Sequence, residues 1–535
     1  MAPNLLSFSS PKGVFPFLPQ QYRYYNKKAK TSLLYLNNLT NVSSLNSKNL
    51  LKCSSVSNLS TPPLDETLAF DHQQEEEEQE QEQEEKELHE MWKAIQGCND
   101  WQGLLDPMNC HLRKEIIRYG EFSQACYDSF DFDPHSKYCG TCKYSAASFF
   151  KKLDMADSGY QISRYLYATS NINLPKFFQK SRLSSVWSTY ANWMGYIAVT
   201  TDEEEIKRLG RRDIVVAWRG TVTYIEWIYD LKDILHTANF GSDPSIKIEL
   251  GFHDLYTKKE QSCNYCTFSA REQVLAEIKR LIEYYEGEEI SITFTGHSLG
   301  AALAIVSAYD VAELGLNIVN DGESSSSTKK IPITVYSFAG PRVGNLKFKE
   351  RCDELGVKVL RVVNVHDKVP TVPGILANEK FQFQKHFEEA TKFPWSYAHV
   401  GVELALDHTN SPFLKNTKDF GCAHNLEALL HLLDGYCGKE NQFCLETTKR
   451  DIALVNKSCD FLKSEYEVPP HWRQDENKGM VRNTDGRWVL PERPRLEALP
   501  EDTAHHLQKV LKNIANSNNN NNSNSANNSS QLEAI

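Results

Sequence analysis

A strand, a five-residue turn and a helix follow one another from Ile290 to Val306, and this succession constrains the fold more than any other stretch. The turn has the pattern G-x-S-x-G, with Gly296, Ser298 and Gly300. A short β-branched and aromatic run precedes the turn, and a helix rich in Ala and Leu follows it. Because the two glycines lack a Cβ, the strand and the helix can approach closely. The pattern is typical of an elbow that holds a serine hydroxyl clear of a sheet as a nucleophile.

Two backbone amides are candidates for binding an anion beside this serine. Leu299 opens the helix, where the dipole favours negative charge. The stretch Arg219–Thr221 directly follows a predicted strand, Asp213–Trp218, and its glycine lets the backbone turn towards the serine. We therefore expect the N–H groups of Leu299 and Thr221 to form an oxyanion hole. For the Arg219 side chain we expect a structural ion pair.

The segment that follows the oxyanion loop is short and helical in character. Its apolar side chains can lie on one side, and they are Ile225, Trp227, Ile228 and Leu231. One interpretation is a helix that packs into the core. The other is a lid that covers the cleft in water and opens on a lipid surface. The position beside the oxyanion loop favours the lid.

Helices and strands alternate around the elbow. A capping box at Ser269–Glu272 opens a helix that leads directly into the strand before Ser298. After the elbow helix, Asn317–Lys330 is predicted to be a surface loop, and further strands are predicted at Ile333–Phe338 and Val357–Val365. This alternation predicts the α/β class, with a central, mostly parallel sheet that is flanked by helices.

A carboxylate and an imidazole are needed to activate a serine, and both have candidates after the elbow. Asp367 follows the strand Val357–Val365, at the sheet edge where working residues lie in such folds. His424 lies immediately before a strongly apolar helix, and the order Ser, Asp, His fits a hydrolase. We therefore predict a triad of Ser298, Asp367 and His424. The other downstream candidates for the base are His386, His399, His408 and His431.

Together these motifs resemble the fungal-type class 3 lipases, which are α/β-hydrolases. The matching stretches are Trp218–Thr221, Gly296–Gly300 and Asn364–Pro370. Within that group the chain is similar to the plant plastid class I phospholipase A1 enzymes from about Trp92 to Val510. That similarity includes the stretches Ala423–Asp434 and Pro469–Lys512.

The resemblance implies a serine acyl hydrolase that cleaves the sn-1 ester of glycerolipids through the predicted triad. Its implied substrates are phosphatidylcholine, galactolipids and triacylglycerol, in membranes or in lipid aggregates. The resemblance also implies peripheral contact of the protein with the membrane. It implies no metal and no organic cofactor. Two alternatives stay open. One is an acyltransferase or carboxylesterase on the same triad, and the other is a non-catalytic, lipase-like signalling protein.

The ends of the chain differ in composition from the middle. The first acidic residue is Asp65, and the basic, Ser-rich stretch before it is typical of a plastid transit peptide. A run of Glu and Gln follows, and the last residues are rich in Asn. We predict a transit peptide at 1–60, an acidic disordered spacer at 61–90, a hydrolase domain at 91–512 and a disordered tail at 513–535. The predicted location is the chloroplast, in the stroma, at the thylakoid surface or on plastoglobules.

Charge and cysteine content exclude some classes of function. The net charge of −11 over 535 residues argues against nucleic-acid binding. The C-x-x-C pairs Cys139/Cys142 and Cys263/Cys266 are too far apart in sequence for a zinc ribbon. Ordinary thiols in a reducing compartment are one interpretation of these pairs, and redox chemistry of Cys139/Cys142 is the other.

Overall fold

The computed structural model describes residues 87–172, 181–183, 186–221, 234–320, 328–374, 396–445, 450–473, 479–493 and 499–513. All of them belong to one compact unit, Gln74–Ile535. The predicted transit peptide and the lid segment lie outside the described residues, as do most of the acidic spacer and the Asn-rich tail. The lid residues concerned are Ile225, Trp227, Ile228 and Leu231, and their role stays a prediction.

The strands and helices are numbered in chain order. The strands are β1 Tyr160–Thr169, β2 Ala191–Thr200, β3 Arg212–Trp218, β4 Leu235–Thr237, β5 Lys247–Glu249, β6 Ile290–His297, β7 Ile318–Asn320, β8 Thr328–Lys330, β9 Ile333–Phe338, β10 Gly344–Asn345, β11 Val357–Asn364, β12 Tyr397–Ala398, β13 Val402–Leu406, β14 Val481–Arg482 and β15 Trp488–Val489. The helices are α1 Cys110–Ser129, α2 Phe149–Lys152, α3 Glu203–Leu209, α4 Leu250–Thr257, α5 Ala270–Tyr284, α6 Leu299–Glu313, α7 Leu346–Glu354, α8 Phe420–Ala423 and α9 Leu426–Gly435. Residues 87–95 and 503–513 are helical as well.

Seven strands form the central sheet in the order β1-β2-β3-β6-β9-β11-β13. β2 runs antiparallel to both of its neighbours, and from β3 onward every pair is parallel. β3, β6 and β9 are buried along their whole length, as expected of strands that are covered by helices on both faces. The mostly parallel sheet predicted from the sequence is therefore confirmed.

Two apolar clusters cover the two faces of the sheet, and β3 shows how its residues divide between them. Ile214 and Val216 belong to the cluster that contains α5 and α6, whereas Val215 and Ala217 belong to the cluster that contains α1 and α9. Successive side chains of a strand point to opposite faces, which accounts for this alternation.

Within the described part of the chain, none of the helices has the length and apolar character that crossing a bilayer requires.

Local sequence signals account for the start of α5 but not for the whole insert after α6. The predicted capping box is present, since Ser269 and Glu272 each accept the other's backbone N–H. The segment Asn317–Lys330, expected to be a surface loop, instead contains the antiparallel strands β7 and β8. Asn317 is buried and its side-chain amide donates to Ile331 O at 2.9 Å, which ties the base of this hairpin to the core.

The register of the parallel strands aligns their carboxyl ends. Trp218, the last residue of β3, pairs with Gly296 of β6. His297, the last residue of β6, pairs with Phe338, the last residue of β9. The loops that follow β3, β6 and β9 therefore leave the sheet at the same edge, which is where ligands bind in open α/β sheets.

The opposite end of the sheet is held by a buried carboxylate. Asp213 is 0% exposed, and its two oxygens accept four hydroxyl hydrogen bonds, from Tyr119 at 2.8 Å, Tyr160 at 2.8 Å, Ser291 at 2.6 Å and Thr293 at 2.8 Å. A buried charge is tolerated when hydrogen bonds replace its water. This network ties α1 and β1 to the start of β3 and β6.

Replacing Asp213 tests the contribution of this network to stability. Asp213→Ala should lower the free energy of unfolding by about 3–5 kcal/mol, because four buried hydroxyls lose their acceptor at once. Asp213→Asn keeps the shape and one acceptor oxygen, so its loss should be roughly half as large. Urea denaturation of both variants measures the difference. Equal stability of Asp213→Ala and the unmodified protein would show that the network contributes nothing.

Candidate active site

The turn between β6 and α6 holds Ser298 in a strained backbone conformation. Its φ of 60° and ψ of −123° lie outside the regions that residues with a side chain ordinarily adopt. The residue is 2% exposed, and its side chain makes no capping hydrogen bond to the helix that it precedes. The hydroxyl is therefore not used to hold the turn, and strain of this kind is typical of functional sites.

Three glycines let the backbone segments around Ser298 come close together. A Cβ on Gly296 would lie 2.3 Å from the carbonyl carbon of Gly300, and one on Gly300 would lie 2.3 Å from Trp218 O. A Cβ on Gly220 would lie 2.6 Å from His297 O. These distances exclude a side chain at each position, so the elbow, the helix and the loop after β3 touch through their backbones.

The predicted carboxylate and imidazole contact each other. Asp367 follows β11, His424 lies between α8 and α9, and His424 Nδ1 donates to Asp367 Oδ2 at 2.6 Å. The other oxygen, Oδ1, accepts the N–H of Val369 at 2.9 Å, which fixes the carboxylate. The side chain of Asp367 is only 2% exposed, and that of His424 is 10% exposed. Because a carboxylate can only accept, Nδ1 carries the proton and Nε2 keeps its lone pair.

The other candidate histidines have different partners. His386 lies outside the described residues. The remaining three are bonded elsewhere: His399 Nε2 to Pro370 O at 2.9 Å, His408 Nδ1 to Asn364 Oδ1 at 3.3 Å and His431 Nε2 to Ser411 Oγ at 2.9 Å. Burial lowers the pKa of His431 to about 4, which suits a neutral core histidine. Among the described candidates, His424 is the one that Asp367 holds.

Two side chains that sequence reasoning missed connect the elbow to His424. His297 Nε2 donates to the backbone oxygen of His424 at 2.9 Å, and Tyr127 Oη donates to His297 Nδ1 at 2.8 Å. The two imidazole rings lie 4.5 Å apart. Burial and the neighbouring His424 hold the pKa of His297 well below its usual range, so it stays neutral. The sequence carries no signal for Tyr127, since α1 is distant from the elbow in the chain.

The predicted oxyanion donors lie on the segments that these contacts hold in place. Leu299 is the first residue of α6, so its N–H has no acceptor within the helix. Thr221 follows Gly220, whose backbone touches the elbow.

The expected structural ion pair of Arg219 is wrong, because among the described residues its guanidinium contacts carbonyl, amide and sulfur atoms and no carboxylate.

The cysteine pairs differ in their electrostatic surroundings. Burial raises the pKa of the Cys139 thiol to about 12, and burial also raises the pKa of Cys142. A hydrogen bond from Cys266 lowers the pKa of Cys263. Since the thiolate is the reactive form, Cys139 and Cys142 lie in surroundings that disfavour thiol chemistry. This argues for the interpretation of that pair as ordinary structural thiols.

A group of possible metal ligands lies beside the end of β11. His366, Asp407 and His408 offer ligand atoms within 4.8 Å of one another. His366 Nε2 is bonded to Asp407 Oδ1 at 3.0 Å, and the same oxygen accepts the N–H and the hydroxyl of Thr409. Hydrogen bonds within the protein therefore occupy His366 Nε2 and Asp407 Oδ1, two of the possible ligand atoms.

Comparison with known proteins decides the family. The family model described as Lipase (class 3) matches residues 215–377. Phospholipase A1-Igamma3, chloroplastic, of Arabidopsis thaliana is 74% identical over 441 residues, which are 81% of this chain and 82% of that protein. The chain belongs to the plant plastid class I phospholipase A1 enzymes. Phospholipase A1-Igamma1, chloroplastic, of the same plant is 59% identical, over 79% of this chain and 82% of that protein.

A more distant relative carries a different activity in its name. Galactolipase DONGLE, chloroplastic, of Arabidopsis thaliana is 44% identical over 65% of this chain and 70% of that protein. Membership of the class I phospholipase A1 enzymes confirms the resemblance that the motifs indicated. It also confirms the prediction of an α/β-hydrolase fold. This class I enzyme is a carboxylic ester hydrolase, and it is a chloroplast protein.

Proposed function

We propose that this protein cleaves the sn-1 ester of membrane glycerolipids by a Ser298–His424–Asp367 mechanism, releasing a fatty acid and a lysolipid. The observation that carries the proposal is the 2.6 Å hydrogen bond between His424 Nδ1 and Asp367 Oδ2. It leaves Nε2 as a proton acceptor at the edge of the sheet where Ser298 stands. The printed names of the relatives, phospholipase A1 and galactolipase, support phospholipids and galactolipids as the substrate class.

The first half of the reaction forms an acyl-enzyme. Ser298 Oγ attacks the ester carbonyl carbon while His424 Nε2 takes the hydroxyl proton, a step for which a positioned base contributes about 10²–10⁴-fold. Asp367 stabilises the resulting imidazolium and keeps its orientation. The N–H groups of Leu299 and Thr221 bind the oxyanion, each worth about 3–4 kcal/mol. His424 then returns the proton to the glycerol oxygen, and the lysolipid leaves.

The second half releases the fatty acid. His424 Nε2 takes a proton from water, and the hydroxide attacks the acyl carbon of the Ser298 ester. A second tetrahedral intermediate forms in the same oxyanion hole and collapses with return of the proton to Ser298. Every step uses side chains and amides of this chain together with water.

Two alternatives differ from this proposal at identifiable steps. An acyltransferase would admit an alcohol other than water to the acyl-enzyme, and a carboxylesterase would take soluble esters. A non-catalytic signalling protein has no need for a buried, aligned base. The contact between Asp367 and His424 supports the catalytic alternatives over the non-catalytic one.

Release of distinguishable acids tests both the reaction and its position. With phosphatidylcholine or a galactolipid that carries different acids at its two positions, the mature protein should release the sn-1 acid. Ser298→Ala should lower the rate by about 10⁴-fold or more, because no other group replaces the nucleophile. Mass spectrometry of the free acids gives the answer. Release of the sn-2 acid would refute the positional claim, and full activity of Ser298→Ala would refute the mechanism.

Exposed apolar side chains beside the triad support contact with a lipid surface. Val365 is 53% exposed and precedes Asp367 by two residues, while Phe420 is 49% exposed and opens the helix that leads to His424. Exposed apolar groups at the mouth of a site are typical of surfaces that meet a partner or a membrane. We propose that this edge faces the lipid during catalysis, as the predicted lid would also require.

Charged substitutions at this edge separate surface binding from chemistry. Val365→Asp and Phe420→Asp together should lower activity on galactolipid vesicles by about 10-fold, because charge at an apolar contact opposes transfer out of water. Hydrolysis of a short, soluble p-nitrophenyl ester should change by less than about twofold. Ile318→Asp is the matched control, since Ile318 is 51% exposed but lies in β7, away from this edge. Equal activity on vesicles would contradict the proposed orientation.

A further inference from the structure

Arg219 carries a buried charge directly behind the predicted oxyanion loop. The residue follows β3 and is fully buried, at 2% exposure. Its guanidinium is held by neutral groups: Nε donates to Trp193 O at 3.1 Å, Nη1 to Gly220 O at 2.6 Å and Nη2 to Asn192 Oδ1 at 2.9 Å, and the group lies 3.8 Å from the centre of the Phe130 ring. Among the described residues no carboxylate neutralises it.

Two other buried arginines on this sheet have a carboxylate partner. Arg164 is paired with Glu277 at 3.1 Å, and Arg212 is paired with Glu288 at 2.6 Å. Burial lowers the pKa of Arg219 to about 10, so the group stays a cation at neutral pH. Holding an unneutralised cation away from water is costly. Such a charge therefore requires a compensating advantage, which its position beside the elbow supplies.

The peptide group between Gly220 and Thr221 links this cation to the active site. Its carbonyl oxygen is the one that accepts from Arg219 Nη1 at 2.6 Å. A trans peptide is planar, so the N–H of Thr221 points in the opposite direction from that carbonyl. A charged donor on the carbonyl also polarises the whole peptide, which makes the N–H on its far side a stronger donor.

Packing fixes the same peptide in place from its other side. A Cβ on Gly220 would lie 2.0 Å from Tyr127 Oη, and Tyr127 is itself bonded to His297 at the elbow. The loop therefore cannot move towards α1, and Arg219 prevents the carbonyl from turning away. A donor that is already oriented costs no rearrangement when charge develops on the substrate.

We propose that Arg219 is a positioning residue that orients and polarises the Gly220–Thr221 peptide, and that the oxyanion of the tetrahedral intermediate is the counter-charge it lacks. This inference rests on the proposed function, since it assumes the Thr221 N–H as an oxyanion donor. No bond to Arg219 forms or breaks. It acts by its field and by its hydrogen bond to Gly220 O.

Kinetics of two variants test the effect on the transition state. Arg219→Gln removes the charge and should lower kcat by about 100-fold with KM changed less than about threefold, because only charge that develops in the transition state is affected. Arg219→Lys keeps the charge without the forked geometry and should lower kcat by about 10-fold. Thermal melting of both proteins monitors folding.

Binding of an anionic adduct distinguishes this role from a structural one. A long-chain alkylboronic acid forms a negatively charged tetrahedral adduct with a nucleophilic serine, whereas the alcohol of the same chain length stays neutral. Arg219→Gln should weaken binding of the boronic acid by about 30-fold or more and change binding of the alcohol by less than about twofold. If Arg219→Gln does not fold, Arg219→Lys carries the same comparison, with a smaller loss confined to the boronic acid.

The outcomes separate this inference from the proposed function. If the unmodified protein fails to bind the boronic acid through Ser298, the proposed function is wrong. If it binds through Ser298 and the variants bind the boronic acid equally well, only the role of Arg219 is wrong. If the variants bind the boronic acid and the alcohol more weakly by the same factor, Arg219 has a structural role, and the inference is overturned as well.

Discussion

The contact between three backbone segments at the carboxyl edge of the sheet is the constraint on which the active site depends. The elbow, the first turn of α6 and the loop after β3 meet where Gly296, Gly300 and Gly220 have no side chain. Within this contact Ser298 has a positive φ of 60°. Parallel register brings the segments to one edge, and the glycines allow the last few ångströms of approach.

Buried charge is distributed differently at the two ends of the sheet. At the amino end, Asp213 is surrounded by hydroxyl donors that satisfy both of its oxygens, which is the arrangement of a structural group. At the carboxyl end, Arg219 is held by carbonyl and amide oxygens, and no carboxylate of the described part of the chain pairs with it. His297 is kept neutral in the same region. The buried cation of Arg219 therefore lies at the edge of the sheet that also carries Ser298.

Local sequence signals predicted the elements but not the contacts between distant ones. β9 has the bounds expected from its apolar run, and the capping box predicted the start of α5 because both depend on neighbouring residues. Asp367 was selected by its position at the end of a predicted strand, and His424 by its position just ahead of a strongly apolar helix. Tyr127 was missed because its contact with the elbow depends on how α1 packs across the sheet. The ion pair expected for Arg219 was wrong for the same reason, since sequence does not show which side chains surround a buried cation.

The most direct test of the account is the site and rate of reaction with a serine-reactive fluorophosphonate. The folded, mature protein should be labelled on the peptide that contains Ser298, and His424→Ala should slow that labelling by about 100-fold or more because the base is lost. Peptide mass spectrometry after timed labelling measures both. Failure of the folded protein to react, or reaction at another serine while Ser298 stays unmodified, would contradict the central claim.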